Sequence, residues 1–111
     1  MRPLKQVKLI TCIMPPGRAH GLILALKKEK GIDSANHSGG RGIGVGQPIE
    51  RGSWQEVDIL SVVVEAHRAD EIFEFLFARS EINRPHGGFI YQTPLTAATL
   101  FSLPDLPLEG A

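Results

Sequence analysis

One cysteine, one tryptophan and one tyrosine are all that 111 residues contain of those types, and no long apolar run is present. A single thiol, Cys12, excludes an internal disulfide framework and suits a reducing compartment. No stretch approaches the roughly 20 apolar residues that a membrane-spanning helix requires, and Met-Arg-Pro-Leu-Lys-Gln-Val-Lys at the start lacks the hydrophobic segment of a secretory signal. The expectation is a cytoplasmic protein. Net charge is missing too: 12 basic residues balance 12 acidic ones, which gives no support for nucleic acid as a partner. His20, His37, His67 and His86 fall into no His-x-x-x-His or His-Glu-x-x-His spacing, so no preformed metal site is expected. No catalytic constellation emerges either. Ser53 lacks the surroundings of a nucleophile elbow, and Cys12 has no charged neighbour in sequence to lower its pKa, so it reads as a buried structural thiol.

Glycine, by contrast, is concentrated. Gly40, Gly42, Gly44 and Gly46 occupy every second position of Gly-Arg-Gly-Ile-Gly-Val-Gly-Gln. An extended backbone there is bare along one edge, which admits a ligand, a bulge or a hinge. The segment matches neither common nucleotide motif. Gly-x-x-x-x-Gly-Lys-Ser/Thr is absent, and Gly-x-Gly-x-x-Gly fails at Val45 and at Gln47.

A strand–helix unit is written twice. Val7–Met14 and residues 57–64 are β-branched runs, each followed by an amphipathic stretch. Ala19, Leu22, Ile23 and Leu26 fall on i, i+3, i+4 and i+7, and Ala69, Ile72, Phe73 and Leu76 repeat that spacing. Pro15 and Pro16 are read as starting the first helix, and Gly31 as ending it after Lys27, Lys28 and Lys30; Asp70 and Glu71 open the second. Residues 32–38 and 89–93 are further strand candidates. The resulting order is βαββαβ, an α+β ferredoxin-like sandwich. Its strands are apolar on both faces while only one face receives helices, so a homo-oligomer packing sheet against sheet is expected. The domain is read as residues 1–102 with a long Gly-rich loop at 39–55, followed by a Pro-broken tail at 103–111.

Arg41, which interrupts the glycine run, is either a guanidinium beside a backbone nest suited to phosphate or carboxylate, or a solvated loop charge. Arg84 carries the same two readings. His86, in Asn-Arg-Pro-His-Gly-Gly, either lines a site or sits in an exposed turn, and Trp54 is either a partner anchor or a lid.

Over residues 7–92 the chain resembles the PII signal-transduction family. Val7-Lys-Leu-Ile-Thr-Cys-Ile-Met-Pro is similar to the family's first strand and its proline. Arg41-Gly42-Ile43-Gly44 is similar to the Lys-Gly-Phe-Gly at its nucleotide pocket, and Glu50-Arg51-Gly52-Ser53 to the Tyr-Arg-Gly-Ala/Ser of its T-loop. Pro85-His86-Gly87-Gly88-Phe89-Ile90-Tyr91 takes the place of its B-loop, Gly-Asp-Gly-Lys-Ile-Phe. The resemblance implies a homotrimer, sheets packed inward, that binds an adenine nucleotide in clefts between subunits and engages a membrane transporter or enzyme through a flexible loop. It implies a ligand site at Arg41, Gly42, Ile43, Gly44, Arg84, His86, Gly87 and Gly88, and a partner-binding loop at Glu50, Arg51, Gly52, Ser53 and Trp54. Departures accompany it. Phe89 replaces the B-loop lysine, no Lys or Arg follows Arg84, and Glu50 replaces the tyrosine that the family uridylylates, while Ser53 matches a serine that some members phosphorylate. The loss of basic residues favours ADP or AMP over ATP as effector, with no obligatory cofactor and no catalytic role. Two alternatives stand beside this: a metal-binding trimer like the CutA family, which shares the architecture, and a small enzyme using the cleft through His86 and Arg84.

Overall fold

Alternating burial along the two β-branched runs sets the frame. Ile10, Cys12 and Met14 on one strand and Leu60, Val62 and Val64 on the other are buried on the same side, where helices cover them. The structure, a computed structural model, describes residues 3–4, 6–42 and 55–99. Its elements run β1 (Pro3–Leu4), β2 (Val7–Met14), α1 (Ala19–Lys30), β3 (Asn36–Gly42), β4 (Gln55–Glu65), a 3-10 turn (Ala66–Arg68), α2 (Ala69–Arg79), β5 (Phe89–Leu95) and β6 (Ala98–Thr99). The main sheet is antiparallel in the order β3-β4-β2-β5. The βαββαβ sandwich expected from the sequence is present. A short ribbon, β1 paired with β6, adds to it.

Ala19, Leu22 and Leu26 of α1 and Ala69, Ile72 and Leu76 of α2 are buried against the sheet, as their spacing requires. Gly31 ends α1 in the left-handed region at φ 68°, its N–H donating to the Lys27 carbonyl (3.2 Å) while the Ile32 N–H reaches the Leu26 carbonyl (3.1 Å). The Gly31 bond, from a residue in the left-handed region back four positions, is that of an αL cap, for which glycine is the usual residue. The start of α1 departs from the expectation. Pro15 and Pro16 lie in the turn before the helix, and Ala19 is its first residue. What fixes that end is Asp58 of β4, whose Oδ2 accepts the N–H groups of Gly17 (3.0 Å) and Ala19 (3.1 Å).

The third strand is displaced from its expected place at 32–38. Ile32 is buried in the core and Ser34 Oγ donates to the Val63 carbonyl (3.2 Å), so this stretch is anchored as a connector and extended pairing starts at Asn36. The strand therefore runs into the glycine segment. Gly39, Gly40, Arg41 and Gly42 are ladder residues opposite Asp58, Val57, Glu56 and Gln55. Pro94, in β5, is tolerated because β5 is an edge strand.

The two helices are tied together at their outer surface. Arg79 makes a bidentate pair with Glu29, and its guanidinium and the Lys30 ammonium both lie over the Phe75 ring, at 4.9 and 5.3 Å from its centroid. Glu71 accepts from Lys30 (3.2 Å) and from Arg68 Nε (2.9 Å), while Arg68 Nη2 caps the Lys30 carbonyl (3.1 Å). Among the described residues no helix lies on the opposite sheet face. Leu9, Ile13, Ile59 and Val63 are half-buried there, and Phe89 and Tyr91 are exposed, their rings stacked at 6.1 Å.

Candidate ligand site at the end of the sheet

The antiparallel order brings several connections to one end. There β2 finishes at Met14, β3 at Gly42 and α2 at Arg79, while β4 begins at Gln55, α1 at Ala19 and β5 at Phe89. A cleft of about 350 Å³ opens among Pro16, Gly39, Gly40, Arg41, Glu56, Val57 and Asp58. Arg41 and Glu56 are exposed and stand opposite each other in the β3–β4 ladder. Arg41, expected in the loop at 39–55, is instead a residue of strand β3, as are Gly39, Gly40 and Gly42. Glu56 and Asp58 were not anticipated, although Asp58 carried a signal: it interrupts the core-facing series Leu60, Val62, Val64 with a carboxylate, and a polar residue on such a face needs a bonded partner. That partner is the first turn of α1.

The bare edge of the glycine run has a different cause at each position. A Cβ on Gly40 would lie 2.9 Å from Ile59 Cδ1 and 3.3 Å from Val57 Cγ2, so at this position the close neighbour is the protein's own sheet. A Cβ on Gly39 would meet open space. Gly42 closes the described part of β3. Ile43, Gly44, Glu50, Arg51, Gly52, Ser53 and Trp54 lie outside the described residues, as does the tail at 103–111.

The loop from Ser80 to Gly88 lies at the same end of the sheet but beside β5, the edge opposite β3, and Arg84, His86, Gly87 and Gly88 are not among the residues lining the cleft at Arg41. Gly88, at φ 104°, runs so close to the end of β2 that an added Cβ would lie 1.8 Å from the Ile13 carbonyl oxygen. Gly87 is buried, and its Cβ would meet the carbonyl oxygens of Glu81 (2.7 Å), Arg84 (3.0 Å) and Ile82 (3.0 Å). Both glycines are therefore demanded by backbone contacts within the chain. Glu81 and His86 adopt the left-handed region at φ 60° and 61°, which is strained for residues with a side chain. Glu81 joins two arginines: Arg18 Nη1 donates to Oε2 (2.8 Å) and also to the Ser80 carbonyl (2.9 Å), and Arg84 Nη2 approaches Oε1 at 2.6 Å. Arg84 is thus paired within its own loop. Arg18, Arg79 and Glu81 also border a second cleft of about 400 Å³, between the helices, where both guanidinium groups are already paired.

Cys12 lies in the core beneath these loops. Burial pushes its thiol up to about 11, a hydrogen bond with Ser80 opposing only part of that rise. A thiol so placed is a poor nucleophile. Among the described residues no group of three or more His, Cys, Asp and Glu side chains comes together in a way that holds a metal ion. No helix among them is long and apolar enough to cross a membrane.

No protein-family model matches the chain, and no curated protein matches it in sequence. Solved structures do match it in fold. Arabidopsis thaliana PII bound to citrate superposes with a TM-score of 0.67 at 17% identity, covering 84% of this chain and 78% of that one. The B. subtilis GlnK–ATP complex gives 0.66 at 21% identity, with 84% and 85% covered. A DUF3240 family protein from Shewanella baltica gives 0.56 at 10% identity, covering 94% of this chain and 100% of that one. The chain has a PII-like fold.

Proposed function

We propose that this PII-like fold serves as a regulatory protein: a small effector binds at the strand-end cleft and its presence is signalled to a protein partner. The observation that carries this reading is the strand-end cleft itself, where Arg41 stands on a glycine-rich strand beside Gly39 and Gly40. A guanidinium over a side-chain-poor backbone suits an anionic group that must approach the main chain. The loop beyond Gly42 is the natural reporter, since it continues directly from the strand that bears Arg41. For a ligand to control it, the loop's states must differ in affinity for that ligand.

The proposed effector is an adenine nucleotide, with ADP or AMP favoured over ATP. Two similar folds were solved with citrate and with ATP, which supports an anionic small molecule as the class. The proposed assembly is a homotrimer whose clefts lie between subunits, and the proposed partner is a transporter or an enzyme. We assign it a signalling role and no reaction of its own. Calorimetry of the purified protein against AMP, ADP, ATP and citrate, with its mass measured by light scattering, tests this. A trimer that binds a nucleotide, and loses it on Arg41→Ala with unchanged melting temperature, is the expected result. A protein that binds none of them removes the reading.

A further inference from the structure

The strand-end cleft presents charges of both signs, Arg41 on β3 and Glu56 and Asp58 on β4. Among the described residues that line it, Arg41 is the one cation. Glu56 faces it from the adjacent strand, where directly opposed residues of an antiparallel pair have Cα atoms about 4.5–5.5 Å apart. No ion pair joins the two side chains, so each remains available to a ligand. Asp58, the second carboxylate, already accepts two N–H groups at the start of α1. The positive end of that helix is thus answered from within the chain, and it offers a phosphate little attraction. Arg84, in the loop before β5, is paired to Glu81.

We infer that Glu56 sets the charge of the effector, so that the cleft takes a nucleoside monophosphate and discriminates against di- and triphosphates; this rests on the nucleotide reading given above. One guanidinium satisfies one phosphate in a bidentate pair. Each further phosphate adds negative charge beside a fixed carboxylate, and no second cation among the described lining residues offsets it. The same carboxylate is an acceptor only, and it complements the hydroxyl donors of a ribose, a role that acidic side chains take in other nucleotide sites. A cleft of about 350 Å³ falls within the range of small-molecule sites.

The test is a calorimetric titration of the full-length protein with AMP, ADP and ATP at fixed ionic strength and without divalent metal, repeated on Glu56→Gln. Glu56 is exposed, and glutamine preserves its shape, so the fold is retained; an unchanged melting temperature verifies this. The expected result is an affinity that falls about fivefold or more with each added phosphate in the wild type. In Glu56→Gln the ratio of AMP affinity to ATP affinity should shrink by about tenfold, with AMP itself least changed. A wild type that binds nucleotides with the same ratio as Glu56→Gln overturns the inference and leaves the nucleotide reading intact. A wild type that binds none of the three overturns both.

Discussion

Replacing Gly88 with alanine would drive a methyl group to 1.8 Å from the Ile13 carbonyl oxygen, at a φ of 104° that side chains rarely adopt. Neither strand nor loop can yield without breaking the β2–β5 ladder that begins at Ile13 and Phe89. Gly88→Ala should therefore cost about 3 kcal/mol or more, measured as a shift in the urea midpoint. Gly39→Ala makes the contrasting case, because its Cβ meets open space; its stability should stay within about 0.5 kcal/mol of wild type. Cys12 offers a third check at this scale. With its thiol pushed up to about 11 by burial, it should react with a thiol reagent at pH 8 only as fast as the protein unfolds, and at full rate in denaturant. Fast reaction of the native protein would contradict its placement in the core.

Elements are held to one another by long-range polar contacts, and these decide which parts of the architecture the sequence discloses. Asp58→Ala removes the acceptor of both the Gly17 and Ala19 N–H groups and should lower stability by about 1–2 kcal/mol in urea. The Glu29–Arg79 and Glu71–Arg68–Lys30 clusters add a pH dependence. Hydrogen bonds from Arg79 and from Arg68 hold Glu29 and Glu71 below the usual carboxylate range. Their stabilisation is complete above the unfolded-state value of about 4.3 and is lost as pH falls through the lower folded values. The urea midpoint should accordingly drop on acidification below about pH 4.3, and a Glu29→Gln, Glu71→Gln variant should show a shallower drop. The two strand–helix units were legible because local periodicity writes them: Leu22 and Leu26, or Ile72 and Leu76, must share a face whatever their surroundings. Strand β3 was misplaced because its position depends on Ile32 and Ser34 docking onto distant residues, and because glycine carries no pattern of its own. At this end of the sheet, Arg41, Gly87 and Gly88 were visible as residue types. The partnership of Asp58 with α1 and of Glu81 with two arginines was not, since each joins positions that only the folded topology brings together.

At the scale of the whole molecule, the unexplained surface is the sheet face without helices. Leu9, Ile13, Ile59 and Val63 are half-buried on it, and Phe89 and Tyr91 stand 50% and 43% exposed, which is much apolar area to leave in water. Thr11, Ser61 and Thr93, with Asn36 and Ser38 of β3, are the polar members of the ladder rows through these residues, and none of them carries charge; Glu65 stands in the row beyond, at the far end of the face. A contiguous apolar face with no charge in these rows is suited to burial against another such face, and a second copy of the chain supplies one of equal size and character. The proposed trimer places these faces inward, so a single charge there should be costly because it would be buried without a partner. Tyr91→Lys, exposed on this face opposite Thr11 in the edge strand β5, is expected to convert a trimer into monomers by light scattering, whereas Asp70→Asn on the outer surface of α2 should leave the mass unchanged. If the clefts are completed by neighbouring subunits, Tyr91→Lys should also lose effector affinity although no residue lining the cleft has changed. Retained affinity in a monomeric variant would place the whole binding site within one chain, and an unchanged trimer would show that the assembly uses a different face.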